Sequence, residues 1–274
     1  MNMEERYVES LRGRTYYYIS RPTSSESTLV FLHGLTADHR LFDKQIPYFS
    51  ERYTVITWDA PCHGKSRPYS DFTYEHTADE LKLIFDTEGI KSALLVGQSM
   101  GGFVAQSFVC KYPEAADGIL TIGTCPYGTR YYSKSDFFWL RQIEWMAGLY
   151  TDKLLRSEMA KICGRTESAR KNMLNMLSPY SKRELCRLMY LGFAGFIPEV
   201  HDMEYPCPVV ITYGEFDRTG KVRKYCNEWN KHEGFPLHII KNAAHNANDD
   251  NPEQVNALID EFAASLYGDS RSRQ

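Results

Sequence analysis

Nowhere in the 274 residues does an apolar run reach the length of a signal-peptide core or a membrane-spanning helix, and the N-terminus, Met1-Asn2-Met3-Glu4-Glu5-Arg6, is polar. A soluble, cytoplasmic protein is expected. Excess charge of either sign is also missing. With 32 Lys and Arg against 35 Asp and Glu, the net charge is -3, so electrostatics gives no drive toward nucleic acid or a membrane surface. The seven cysteines, at 62, 110, 125, 163, 186, 207 and 226, are scattered, odd in number and never spaced C-x-x-C. They read as free thiols of a reducing compartment rather than a disulfide framework. No two histidines stand at H-x-x-x-H or another ligand spacing, which leaves a metal site without support. Internal repeats, low-complexity segments and interdomain linkers are absent too.

What is present is a 43% hydrophobic chain, enough for one large α/β domain or one domain carrying an insertion. Arg6 to Ser10 and Thr15 to Ser20, joined at Arg12-Gly13, read as an antiparallel ribbon at a sheet edge. Continuous apolar runs at Thr28 to Leu32, Tyr53 to Trp58 and Ala93 to Val96 read as buried strands. A short helix is expected within Phe42 to Ser50, and an amphipathic one from Thr73 to Glu88 with Ala78, Leu81, Ile84 and Phe85 on one face. Strand and helix thus alternate, the sign of a parallel sheet with crossovers. Further strands are expected at Gly118 to Gly123, Pro208 to Gly214 and Leu237 to Ile240. A last helix follows, capped by Asn251, begun by Pro252 and buried along Val255, Leu258, Ile259, Phe262 and Leu266. The tail from Gly268 is polar and expected to fray.

Between Pro126 and Glu204 strands vanish. Ser133, Thr151, Thr166 and Ser181 with Glu184 are plausible helix caps in this stretch. The division expected is a core of residues 1–125 and 205–274 with a helical lid at 126–204, since a single crossover needs only one helix.

The chemistry centres on Gly97-Gln98-Ser99-Met100-Gly101, a G-x-S-x-G pentapeptide between the strand from Ala93 and a helical run to Lys111. A serine on so sharp a strand-to-helix turn is lifted above the sheet, with the first helical N–H groups aimed at whatever it attacks. Its hydroxyl needs a base, and the base needs an orienting acid. Both must follow strand ends on the same sheet edge. Asp217, in Gly214-Glu215-Phe216-Asp217, fits the acid, with Glu215 a nearby alternative. His245, between the last strand and the last helix, fits the base. The order Ser99, Asp217, His245 is that of the nucleophile-elbow hydrolases. The backbone N–H groups of Met100 and Leu35 are the candidate oxyanion donors. His33 is expected to hold the Leu35 loop by hydrogen bonds at the pocket's edge. Tyr131, Phe137, Phe138, Trp139 and Trp145, with the neighbouring Tyr132, are candidate lining for an apolar or aromatic substrate group; the alternative is that they pack the helical block onto the core.

Taken with Asp59 to Ser66, which reads D-x-P-x-H-G-x-S, these pieces make the chain resemble the α/β-hydrolase fold superfamily, in its lidded esterase, lipase and carbon-carbon hydrolase branch. The resemblance covers nearly the whole chain. It implies an α/β fold with an eight-stranded, mostly parallel sheet flanked by helices, a helical lid after the sixth strand, an acyl-enzyme mechanism and no cofactor. Asp59 and His63 then belong to a structural turn. Two features depart from the family pattern. No glycine precedes His245 in Ala243-Ala244-His245, and Arg218-Thr219-Gly220 after Asp217 is more polar than usual; both bear on the pocket mouth. The function expected is a serine hydrolase of a small ester-like molecule, acting as a monomer or homodimer. Diketone or lactone cleavage by the same residues is the alternative within enzymes, and a non-catalytic small-molecule receptor is the alternative outside them.

Overall fold

The computed structural model describes residues 3–23 and 27–268, so the expected frayed tail beyond Gly268 lies outside the described residues. Its eight strands are β1 (Glu4–Ser10), β2 (Gly13–Ser20), β3 (Thr28–Leu32), β4 (Thr54–Trp58), β5 (Ala93–Gln98), β6 (Ala116–Ile122), β7 (Val209–Gly214) and β8 (Leu237–Ile240). They form one sheet in the order β1-β2-β4-β3-β5-β6-β7-β8. The pairings β1 with β2 and β2 with β4 are antiparallel, and the rest are parallel.

Strands buried on both faces read as unbroken apolar runs, and Thr28–Leu32 and Thr54–Trp58 are buried at every position. Side chains still alternate. In β5, Leu94 and Val96 join the cluster that holds Phe31, Phe42 and Phe49, while Ala93 and Leu95 join the one on the other face with Trp58, Phe85 and Phe108.

The helices are α1 (Ile46–Phe49), α2 (Tyr74–Glu88), α3 (Met100–Lys111), then α4 (Lys134–Arg141), α5 (Ile143–Gly148), α6 (Asp152–Cys163), α7 (Glu167–Leu177) and α8 (Lys182–Ala194), and finally α9 (Val222–Glu233), α10 (Ala247–Asp250) and α11 (Pro252–Tyr267). The five from α4 to α8 all fall between β6 and β7. Four of them, all but α5, start with the side-chain caps read from the sequence. Thr151 accepts from Leu154 N–H and Thr166 from Ala169 N–H, while Ser133 with Asp136 and Ser181 with Glu184 are reciprocal capping boxes. Thr73 and Asn251 likewise cap α2 and α11. The crossover helix α9 has no counterpart among the elements expected from sequence.

The chain leaves β3 toward β4 on one side and comes back to β5 on the other. The reversal lies between β3 and β5, and the crevice outside the carboxyl ends of strands at such a point is where open α/β sheets bind ligands. His33-Gly34-Leu35 follows β3 and Ser99 follows β5, so topology alone brings these two loops together.

Candidate active site

Ser99 joins β5 to α3 with φ 50° and ψ -114°, a strained conformation for any residue with a side chain. It is held there from several directions. Ser99 N–H donates to Ile122 O of β6 at 2.9 Å, and α3 packs so tightly under the turn that a Cβ at Gly101 would lie 1.9 Å from the Leu32 carbonyl oxygen. The hydroxyl makes no capping bond to the helix and turns instead to His245, whose Nε2 is 2.9 Å away.

His245 Nδ1 lies 2.8 Å from Asp217 Oδ2. An ionised carboxylate only accepts, so Nδ1 carries the proton and Nε2 offers its lone pair to the serine hydroxyl. Asp217 is fixed in turn, since its Oδ1 accepts Thr219 N–H at 2.8 Å and its own N–H donates to Gly214 O at 2.9 Å. Histidine and aspartate are both nearly inaccessible to solvent, at 5% and 3%. Space for them comes from Gly123 after β6, at φ +62°, where a Cβ would sit 3.0 Å from His245 Nδ1 and 3.1 Å from Asp217 Oδ2. Glu215, the alternative acid, is exposed and accepts Asn242 N–H at 3.0 Å.

Met100 opens α3, where N–H groups have no intrahelical acceptor, and Leu35 lines the same cavity as Ser99. The Leu35 loop is tied from behind by His33, fully buried. Its Nδ1 donates to Gly34 O at 2.7 Å, and its Nε2 accepts Ala60 N–H at 2.9 Å. Burial lowers the pKa of His33 and keeps the ring neutral. His63 packs edge-on against it at 5.3 Å, with Nδ1 on Pro61 O at 2.9 Å.

Beside Ser99 and His245 lies a cavity of about 220 Å³, smaller than the roughly 300–1,000 Å³ of drug-sized sites. Its walls are aliphatic and thioether side chains of the helical block, among them Ile143, Met159, Ile162, Met173 and Met189, with Phe193 as the aromatic ring of the lining. The sequence-based lining therefore needs correction. Neither His33 nor any of Tyr131, Phe137, Phe138, Trp139 and Trp145 borders this cavity. Tyr131 donates to Glu233 Oε1 at 3.0 Å on α9, while Tyr132 and Phe137 pack ring to ring, half-buried against the core. Phe138, Trp139 and Trp145 are more than half exposed. Ring count singles out aromatic residues but does not tell which side of a helix faces the sheet. Met159 with Ile162, and Met189 with Phe193, stand three or four residues apart, a helical-face signal that marks the real lining.

Sequence reasoning also missed Gln98 and Asn246. Gln98 Nε2 donates to His245 O at 3.1 Å and lies 3.3 Å from Asn246 Oδ1, and Asn246 N–H donates to Cys163 O at 2.7 Å. They brace the histidine loop from below. Asp38, His39 and Asp59 bring ligand-type atoms within 4.8 Å of one another, but each already serves the fold. Asp38 pairs with Arg40 at 2.6 Å, and Asp59 accepts the N–H groups of His39 and Lys65 along with His39 Nδ1.

The sequence profile of the alpha/beta hydrolase fold family matches residues 27–252. The chain belongs to this family. Among its alpha/beta hydrolase relatives is the 2-(acetamidomethylene)succinate hydrolase of Mesorhizobium japonicum, 24% identical over 255 residues, covering 88% of this chain and 90% of that one. Several further curated relatives match across only 34% to 45% of their own length. Solved alpha/beta hydrolases of the same fold include an esterase from Thermogutta terrifontis (TM-score 0.76, 18% identity, 97% of this chain and 100% of that one). The N-acyl homoserine lactonase AidH is as near, at TM-score 0.75 and 20% identity over 97% and 98%. No helix among the described residues is long and apolar enough to cross a membrane.

Proposed function

We propose that this alpha/beta hydrolase is a serine carboxylic ester hydrolase working through an acyl-enzyme without a cofactor. The observation that carries the reading is the hydrogen-bonded chain Ser99, His245, Asp217 at the wall of a small apolar cavity. Ser99 Oγ attacks the acyl carbonyl carbon while His245 Nε2 takes its proton, and Asp217 stabilises the resulting imidazolium. Negative charge on the carbonyl oxygen is met by the N–H groups of Leu35 and Met100. The tetrahedral adduct collapses, the alcohol leaves with the proton from His245, and water, deprotonated by His245, then releases the acid and regenerates Ser99. A serine rather than an aspartate at position 99 disfavours epoxide opening through an alkyl-enzyme ester. The helical block 126–204 serves as the lid that supplies the acyl pocket. Seven free thiols suit a reducing cytoplasm, and the partner is a small molecule met by a monomer or homodimer.

Ser99→Ala is expected to lower ester turnover by on the order of a million-fold while the far-UV circular dichroism stays that of the parent. Unchanged turnover refutes the mechanism. A fluorophosphonate adduct located on Ser99 by mass spectrometry separates an enzyme from a receptor, which would not label. A panel of acyl esters, lactones and diketones then identifies the bond, and preference for a diketone would move the protein to carbon-carbon hydrolysis.

A further inference from the structure

The cavity beside Ser99 is apolar over most of its wall; apart from Ser99 and His245 its polar lining is Thr36, Gln98, Asn246, Thr219 and Arg218, of which Arg218 alone carries a permanent charge. Arg218 and Thr219 directly follow Asp217 at the end of β7, the stretch that departs from the family pattern in sequence. Arg218 is exposed, and no ion pair or ring contact engages its guanidinium among the described residues. The adjacent Asp217 makes no ion pair with it; its Oδ2 faces His245 Nδ1 and its Oδ1 accepts Thr219 N–H. Thr219 Oγ1 is buried and has no hydrogen-bond partner among the described residues. A buried hydroxyl is normally paired, so this corner sets a planar cation beside a hydroxyl that lacks a partner, in a largely apolar cavity.

An arginine fork matches a carboxylate through two parallel hydrogen bonds, and the hydroxyl can add a third. Resting on the hydrolase reading above, we propose that the ester cleaved carries a free carboxylate, bound by Arg218 and Thr219, at the far end of a short aliphatic spacer. The small volume and the aliphatic lining account for the spacer. The polar corner accounts for the charge. Half-esters of short dicarboxylic acids are the substrate class that meets all three requirements.

The test compares mono-4-nitrophenyl adipate with 4-nitrophenyl hexanoate, which differ only in the terminal carboxylate. At low salt the parent protein is expected to favour the anionic ester in kcat/KM by roughly tenfold or more, the low end for a charge-assisted contact at an exposed arginine. The preference should shrink at 0.5 M salt, where the Debye length falls toward a few ångströms. Arg218→Gln is expected to bring the ratio near one, chiefly through KM on the anionic ester. Arg218→Lys should keep part of it, and Thr219→Val should lower it a few-fold. A parent ratio near one, a ratio unchanged in Arg218→Gln, or equal losses on both esters overturns the assignment. A second arm needs no turnover. Calorimetric titration of the Ser99→Ala protein with monomethyl adipate and with methyl hexanoate should show tighter binding of the half-ester that Arg218→Gln abolishes, and equal binding of the two esters overturns the proposal. Failure of the hydrolase reading shows separately, as absence of fluorophosphonate labelling at Ser99.

Discussion

His33 shows how one side chain can hold a site without touching the reaction. Both of its ring nitrogens are spent on backbone, Gly34 O on one side and Ala60 N–H on the other, so it locks the loop that presents Leu35 to that of β4. His33→Ala would leave a buried N–H without a partner and open a void. It is expected to destabilise the fold by about 2–4 kcal/mol in urea unfolding and to lower kcat by up to about a hundredfold with KM little changed, the pattern of a displaced oxyanion donor. A rise in KM at constant kcat would instead place His33 in substrate binding. Cys163 gives a contrasting case at the same scale. It lines the cavity, yet burial pushes its thiol up to about 12, so at pH 8 the thiolate fraction is on the order of one in ten thousand. Iodoacetamide is therefore expected to leave ester turnover intact in the native protein, and rapid inactivation with alkylation at Cys163 would contradict this reading.

At the scale of elements, the junction between α8 and α2 ties the helical block to the core. Glu199, just beyond α8, accepts the N–H groups of Tyr74 and Glu75 at the start of α2 at 2.9 and 3.1 Å, and the Tyr127 hydroxyl at 3.3 Å, while Tyr74 OH donates to Gly192 O at 2.7 Å. Burial outweighs these donors and raises the Glu199 carboxyl to about 6, against an ordinary value of 4.5. Between those values the native protein holds a proton that the unfolded chain has lost, so this group's contribution to stability falls as pH rises from 4.5 through 6. Glu199→Gln removes the titration. The parent is expected to lose about 1 kcal/mol relative to that variant over the interval, allowing for screening at a partly exposed site, as read by urea unfolding at each pH. A difference independent of pH would refute it. Elements such as this junction also show what the sequence made legible. Strands buried on both faces and helices with side-chain caps stood out, because continuous apolar runs and Ser, Thr or Asn starts are local signals. The helix α9 did not. Lys221, which precedes it, gives no side-chain cap, and its buried residues Val222, Tyr225, Cys226 and Trp229 form a thin stripe among charged neighbours. The hydrogen-bonded chain of Ser99, His245 and Asp217 was legible because each member follows a strand end. The cavity lining was not, because the packing of α5 against α8 and of α6 against α7, rather than any local pattern, sets which helix faces turn inward.

For the molecule as a whole, two buried histidines at the carboxyl edge of the sheet couple stability to acidity. His63 is fully enclosed, and burial drives its pKa down to about 3 from 6.5, with the neighbouring His33 adding to the effect. Its Nδ1–H is given to Pro61 O, while Nε2 is buried with no partner among the described residues, so a second proton would be a buried charge with nothing to receive it. Above pH 6.5 both folded and unfolded forms carry a neutral ring, and the stability held in that neutral state is present in full. As pH falls from 6.5 toward 3 the unfolded chain takes up a proton that the native one refuses, and the stability is lost progressively. Over the whole interval this amounts to roughly 5 kcal/mol, a large share of the ~5–15 kcal/mol that holds a domain together. The titration of Glu199 runs the other way between pH 6 and 4.5, so the parent's total slope is shallower there than His63 alone would give. The separating measurement is His63→Phe, which keeps a ring in the site, loses the Pro61 contact and cannot titrate. Urea unfolding at pH 8, 6, 5 and 4 is expected to show the variant less stable than the parent at pH 8 and the gap closing by several kcal/mol on acidification. A gap that stays constant across the series would mean that His63 is protonated in the native fold as readily as in the unfolded chain, and that acid sensitivity originates elsewhere.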